Sequence, residues 1–313
     1  MPHAPADGRV AGGGTRVGAT EGMRMKFGIS YNTAYYGVDP DKMMAFAQHA
    51  EDCGFESLYV PEHIVLYPGA TVGPVELPPS LPFADPLDCL SFIAAATRRI
   101  LLGTGVLLLP YHHPVVLAKR LATVDVLSKG RMRLLTVGLG SLPGEARAVG
   151  VDFGSRGRRA DEAIDVMRLL WAGGEDGVSF EGEFFTFDDL CSFPKPLGVA
   201  HLPIHVGGSS RAAARRAGRR GDGYFPGGAL DPAERAVQME LARSAAIEAG
   251  RDPETLEYTR WGSIGMSAER VEAFAAQGVT RVVVSPTTTE LDWQRDEMSS
   301  FAQRFALLDP LPR

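Results

Sequence analysis

The feature that most constrains this chain is a short frame that recurs along it. Around Gly54, "AEDCGFESLYV" ends a helix, passes through Gly, an apolar residue and two polar residues, and enters a β-rich run. Around Gly278, "AFAAQGVTRVVVS" repeats that order, with looser versions in "VLSKGRMRLLTV" at Gly130 and "ARRAGRRGDGYF" at Gly221. Each reads as a helix closed by Gly in the left-handed position after its last turn, then a short loop into a strand. Helices alternating with strands through such loops make βαβ units, and βαβ units make a parallel sheet.

Counting the strand-like runs separates an open sheet from a barrel. They start near Phe27, Ser57, Ile100, Arg133, Leu202, Tyr224, Leu256 and Arg281, with helical segments between them. The first helix opens on Asp39 as cap and Pro40 at its first position, with Met43, Ala47 and Ala50 on one face. Another follows Pro114, with Leu117, Leu121 and Val124 spaced for one face. Eight strands and eight helices predict a (β/α)₈ TIM barrel, and no G-x-G-x-x-G follows the first strand to support a dinucleotide-binding sheet. Residues 172–201 are too long for a simple connection. Within them "VSFEGEFFTF" alternates like a hairpin around Gly182, predicting an insertion over one side of the barrel. The first 24 residues, mostly Gly, Ala, Pro and charges, read as a disordered leader or an over-long start. Residues 25–313 are then one domain.

Composition narrows the partners. The 313 residues are 45% hydrophobic, enough for one large core, and their net charge of −6 argues against nucleic acid and anionic membrane surfaces. No apolar run approaches the roughly 20 residues of a membrane span. Cys53, Cys89 and Cys191 lack disulfide-like or metal-like spacing, which suits a reducing cytoplasm.

In such barrels chemistry gathers at the C-terminal ends of the strands. Position alone nominates Tyr31 and Asn32; Glu62 and His63; Tyr111, His112 and His113; Gly140 and Ser141; Gly207 to Ser210; Gly227 and Gly228; Trp261; Ser285 and Thr287. Glu62 and His63 close the second strand, either as site residues or as a polar strand end reaching solvent. In "IHVGGSSRAAARRAGRR" two glycines let backbone approach a ligand and Ser209 is placed to cap a helix, a phosphate cradle unless it is an ordinary turn. In "ILLGTGVLLLPYHHP", Gly103 and Gly105 mark a bulge or a ligand against the backbone, or else close packing. His49 reads as surface and His205 as a satisfied core histidine. His112 and His113 point apart in extended chain, and no H-x-H or H-x-x-E pattern supports a metal site.

These motifs together resemble the luciferase-like monooxygenase superfamily over residues 25 to about 290, and within it most closely the oxidoreductases that use the deazaflavin F420. The resemblance rests on "FGISY", "GFESLYVPEH", "LLGTGVLLLPYHHPVVLAKRLATVDVLSKGRMRLLTVGLG" and "LPIHVGGSSRAAARRAGRRGDGYFP". It implies a flavin-like ring in the barrel mouth against a strand-three bulge, with a non-proline cis peptide at Gly105–Val106. It makes Glu62 and His63 the catalytic pair, His63 handling a proton beside the transferred hydride. Tyr67 falls where some relatives have an aromatic wall, and Gly207, Gly208, Ser209 and Ser210 match the loop holding the cofactor phosphate. A homodimer is implied too.

Some positions depart from the pattern. Ser141 stands where certain deazaflavin sugar dehydrogenases carry a glutamate, and the basic residues that hold a sugar phosphate there have no match. Glucose 6-phosphate is therefore not the expected substrate; the proline-rich loop 64–85, with the insertion, suggests a lid over a small hydrophobic or aromatic one. Other readings are a monooxygenase of the same fold using reduced FMN, a barrel glycosidase with Glu62 and Glu145 as its carboxylate pair, and a flavin-binding relative without catalysis.

Overall fold

A computed structural model describes residues 25–227 and 230–307; the predicted leader and Gly228 lie outside the described residues. Eight strands close into a parallel barrel: β1 (Lys26–Ser30), β2 (Ser57–Val60), β3 (Leu101–Leu108), β4 (Met132–Gly138), β5 (Ile204–Gly207), β6 (Gly223–Phe225), β7 (Glu257–Trp261) and β8 (Arg281–Val284). Each pairs with its sequence neighbours, and β8 with β1 completes the ring. The main outer helices follow in turn: α1 (Pro40–Asp52), α2 (Pro86–Ala96), α3 (Pro114–Leu127), α4 (Arg156–Ala172), α5 (Arg211–Arg220), α6 (Pro232–Glu248), α7 (Ala268–Ala275) and α8 (Leu291–Arg304). The expected (β/α)₈ barrel is what the chain forms. No helix among the described residues is long and apolar enough to cross a membrane.

Local sequence explains the units. Asp39 caps α1 by accepting from the Lys42 amide at 2.8 Å, with Pro40 at the first helical position. The Met43, Ala47 and Ala50 face is buried. Gly54, Gly130 and Gly278 take the left-handed conformation the frame predicts, with φ of 85°, 84° and 79°. Gly221 does not. Its φ is −91°, and α5 runs into β6 through extended backbone, because the chain leaves that helix without a reversing turn. His49 is half-buried rather than surface: its Nε2 meets the Arg295 carbonyl at 3.1 Å and the Ser299 hydroxyl at 2.9 Å, joining α1 to α8.

Inside the barrel the side chains form layers. Tyr59, Leu134, Phe225 and Val283 fill the middle. Methyl groups on Gly28 and Gly103 would approach the Tyr59 ring to 2.8 and 2.9 Å, so these glycines exist to seat that ring. Gly103 is thus a packing glycine. Below lies an ionic floor: Arg281, 2% exposed along its side chain, donates to Glu56 at 2.7 Å and also pairs with Glu257, which takes Lys26 as well. His205 sits beside it, its Nε2 3.6 Å from Glu257. Its Nδ1 has no partner, so the expected satisfied core histidine is only half satisfied. Burial depresses its pKa to about 4, keeping the ring neutral.

The insertion is an antiparallel hairpin, Val178–Glu181 with Thr186–Leu190, closed around Gly182. Its tip is pinned by Glu162 of α4, whose carboxylate accepts from the amides of Glu183, Phe184 and Phe185. Phe185 meets His113 edge-on at 5.3 Å. The hairpin therefore flanks α3 and α4, on the outside of the barrel. The 64–85 loop is not simply extended: Thr71–Val72 and Val75–Glu76 form a second small hairpin.

Candidate active site

The C-terminal mouth of the barrel holds a cavity of about 630 Å³, lined from β1, β2, β3, β4 and β5 and roofed by Val72, Val75, Leu77 and Phe83 of the 64–85 loop. No insertion residue lines it, which corrects the expectation that the insertion shares the lid: its hairpin packs outward instead.

The floor is the β3 bulge. The Gly105–Val106 peptide is cis, and the register with β4 shifts between Gly105 and Leu107. Gly105 has room that Gly103 lacks: the nearest atoms to an added methyl group, on Trp261 and Tyr59, are 3.5 Å away. The two open readings of this motif thus divide between its glycines, packing at Gly103 and a cavity-facing bulge at Gly105. Val106 faces the cavity and its two methyl groups nest against Gly138 and Gly207, where added methyl groups would come within 2.6 and 2.7 Å. Gly207 therefore makes room for Val106.

Glu62 and His63 are both in the cavity wall. Glu62 is nearly buried, and its carboxylate accepts from the Leu108 amide at 2.6 Å and faces His112 Nε2 at 2.9 Å. The Glu62 amide donates to the Val106 carbonyl at 3.2 Å. Both groups of Glu62 are thus spent on holding the bulge. His63 Nδ1 lies 3.2 Å from Glu145, whose fully buried carboxylate also accepts from the Ile64 amide at 2.6 Å. A carboxylate only accepts, so Nδ1 carries the hydrogen and Nε2, with no partner among the described residues, is left to face a ligand. Phe83 meets the imidazole edge-on at 4.8 Å. His112 turns to Glu62 and His113 to Phe185, so the adjacent histidines do point apart.

Glu145 and His112 are the residues that sequence reasoning missed in these roles. Glu145 lies 82 positions from His63, and only its place just beyond β4 hinted at the site. Both carboxylates are tied to backbone amides and histidines, and Glu145 is absent from the lining, so they do not face the cavity together as a glycosidase pair would.

The loop after β5 forms the opposite wall. Gly208 has φ of 106°, a conformation that favours glycine. Ser210, not Ser209, caps α5 by accepting from the Ala213 amide at 3.1 Å. Ser209 instead donates its hydroxyl to the Gly227 carbonyl, because Gly208 swings its side chain toward the β6 loop. The amides of Ser209, Ser210, Arg211 and Ala212 have no acceptor among the described residues, and they gather at the positive end of a helix. That donor set fits a phosphate, and Gly208 and Ser210 line the cavity beside it. Arg156 lines the cavity too; its guanidinium is held over Phe153, donating to the carbonyls of Phe153 and Gly140.

Tyr31 and Tyr67 are among the nominated residues that stand back from the cavity. Tyr31 is buried, its hydroxyl donating to the Gly37 carbonyl at 3.2 Å. Tyr67 accepts from the Gly144 amide at 3.2 Å and its ring packs on that glycine, behind the wall. No group of His, Cys, Asp and Glu side chains placed to hold a metal occurs among the described residues.

The profile of luciferase-like monooxygenases matches residues 23–297. The chain is 32% identical over 212 residues to an F420-dependent glucose-6-phosphate dehydrogenase of Microbacterium testaceum, covering 66% of this chain and 58% of that one. It is also 32% identical over 254 residues to 4-hydroxyprotoasukamycin monooxygenase of Streptomyces nodosus subsp. asukaensis, covering 76% and 62%. The chain thus spans under two thirds of either relative's length. Coenzyme F420-dependent tetrahydromethanopterin reductase of Methanopyrus kandleri shares the fold, with a TM-score of 0.72 over 90% of this chain and 98% of that one at 17% identity.

Proposed function

We propose that this chain, which belongs to the luciferase-like monooxygenase family, is an oxidoreductase that moves a hydride between F420 and a small, hydrophobic or aromatic organic substrate. The observation that carries this reading is the open cavity at the barrel mouth. It combines a bulged β3 floor at Gly105–Val106, a protonatable wall at His63 and unpartnered helix amides at Ser209 to Ala212. The first suits a flat ring, the second proton transfer, and the third a phosphorylated tail.

The chemistry a bound deazaflavin supplies is two-electron hydride transfer, and the chain's own residues supply the rest. Val106 backs the ring. Glu62 fixes Val106 and Leu108, and so sets the shape of the surface on which the ring lies. Gly207 makes room for Val106, and Gly208 turns the chain into α5, whose first amides, with Ser210 beside them, hold the phosphate. Glu145 keeps the His63 hydrogen on Nδ1, so Nε2 takes up or gives the proton that accompanies the hydride. Val72, Val75, Leu77 and Phe83 keep water from the reacting face.

A second reading keeps these residues and replaces the cofactor with reduced FMN, giving a monooxygenase. It is favoured by the likeness to 4-hydroxyprotoasukamycin monooxygenase. Titrating the purified protein with F420 and with FMN, followed by fluorescence, separates the two. The expected result is F420 binding with FMN much weaker, and tight FMN with negligible F420 would overturn the preference. His63→Ala should leave the F420 dissociation constant unchanged and lower turnover roughly 10²–10⁴-fold. Undiminished turnover in that variant would remove His63 from the chemistry. A cytoplasmic homodimer belongs to the same reading, tested by cell fractionation and light scattering.

A further inference from the structure

A second chamber of about 430 Å³ opens beyond the bulge. It shares Asn32, Tyr35, Pro61 and Gly105 with the first cavity and continues past Trp261 to residues 285–289, after β8. Among the described residues, no Asp, Glu, Lys, Arg or His lines it. The charges nearby are hydrogen-bonded to wall residues and absent from the lining: Glu297 accepts from the Thr287 amide and hydroxyl, and Lys42 donates to the Thr289 carbonyl. The Tyr36 hydroxyl is likewise used, on the Pro286 carbonyl at 2.6 Å.

Several polar groups in the wall have no partner among the described residues: the hydroxyls of Ser30, Tyr35 and Ser285, the Asn32 side-chain NH2 and the indole N–H of Trp261. Trp261 lines the chamber, is 36% exposed, and its ring is braced by Phe225, centroids 4.9 Å apart. The chamber therefore offers flat aromatic surface, a few free hydrogen-bonding groups and nothing to neutralise a charge. A charged ligand would have to shed its water there with no counter-charge in return, whereas a neutral one loses far less.

We propose that this chamber is the substrate's, and that it takes an uncharged, planar molecule bearing a carbonyl, hydroxyl or amide that meets Ser285, Ser30 and Trp261. This rests on the cofactor lying over Gly105–Val106, which leaves the space beyond Gly105 as the one adjoining the ring. It narrows the substrate class by excluding carboxylates and phosphate esters.

Cinnamamide and cinnamate test it, since they share a flat ring and differ in charge. Saturation-transfer NMR with the full chain should give a dissociation constant for cinnamamide at least tenfold below that for cinnamate. Ser285→Val and Trp261→Phe should each weaken cinnamamide several-fold while leaving F420 and FMN affinity unchanged. Absent cinnamamide binding, equal binding of cinnamate, or insensitivity to both substitutions would overturn the inference. So would a loss of cofactor affinity in either variant, because the chamber would then belong to the cofactor. Failure of the underlying cofactor reading shows separately, as neither F420 nor FMN binding to the unaltered protein.

Discussion

Glu145 offers the sharpest test of how the site is held. Its side chain is fully buried and serves three groups: the Ile64 amide at 2.6 Å, His63 Nδ1 at 3.2 Å and, more weakly, the Val65 amide at 3.4 Å. Glu145→Gln keeps the shape and removes the charge. Hydrogen bonds to a charged group are worth about 1.5–3 kcal/mol and neutral ones about 0.5–1.5, so each of the two closer contacts loses roughly 1 kcal/mol. The expected cost is about 2 kcal/mol, a fall of roughly 3 °C in Tm for a chain of 313 residues. Glu145→Ala removes every acceptor, leaving a buried amide and an imidazole N–H unpaired, and should cost about 3–5 kcal/mol. Because Ile64 and Val65 begin the 64–85 loop, the loss should be local as well as global. Hydrogen exchange at the Ile64 amide should quicken in both variants, and kcat should fall as His63 loses its orientation. The assays are urea unfolding, amide exchange by NMR and steady-state kinetics. A cost below about 0.5 kcal/mol for Glu145→Ala, with exchange at Ile64 unchanged, would refute the idea that this carboxylate anchors both the loop and the imidazole.

Two further outcomes follow from the same contacts. On the barrel floor, His205 stays neutral down to about pH 4, against an ordinary value of 6.5. Burial raises the Glu257 carboxyl but the Arg281 guanidinium outweighs it and holds it near 2. In both cases the unfolded chain binds the proton first, so stability falls with falling pH. The histidine acts from about 6.5 to 4 and the carboxylate from about 4.5 to 2, each with a slope of up to about 1.4 kcal/mol per pH unit. Urea unfolding between pH 7 and 5 should show the histidine's part, and His205→Gln should flatten it; an unchanged slope in that variant would count against the assignment. Gly207→Ala places a methyl group 2.7 Å from Val106 Cγ1 and 3.2 Å from the Val137 carbonyl oxygen. It should push the β3 bulge into the cavity and weaken cofactor binding at least tenfold by fluorescence titration, while wild-type affinity in the variant would show that the bulge does not shape the floor.

Much of this is legible in the sequence, for reasons of range. Caps, left-handed glycines and apolar faces depend on residues a few positions apart, so "AEDCGFESLYV" and its repeats announced the βαβ units, and their count announced the barrel. Glu62, His63, Gly105 and the 207–210 loop were found because barrel topology carries strand ends to one face. The hairpin in residues 172–201 was visible in its alternation, but its outward packing depends on Glu162 and His113, which only the fold brings beside it.

Contacts between distant strands were beyond such reasoning. Nothing near Gly103 or Gly105 says that one seats the Tyr59 ring and the other faces a cavity; that distinction comes from the interior layering of four strands. The pairings of His63 with Glu145 and Glu62 with His112 join residues 82 and 50 positions apart. Alternation and capping, acting over a few residues, determined from the sequence alone that the chain is a barrel, and barrel topology pointed to the end at which its cavity opens. The hydrogen-bond partners of each site residue, and the uncharged character of the chamber beyond Gly105, were decided by tertiary closure, because closing the barrel brings side chains from several strands around one cavity.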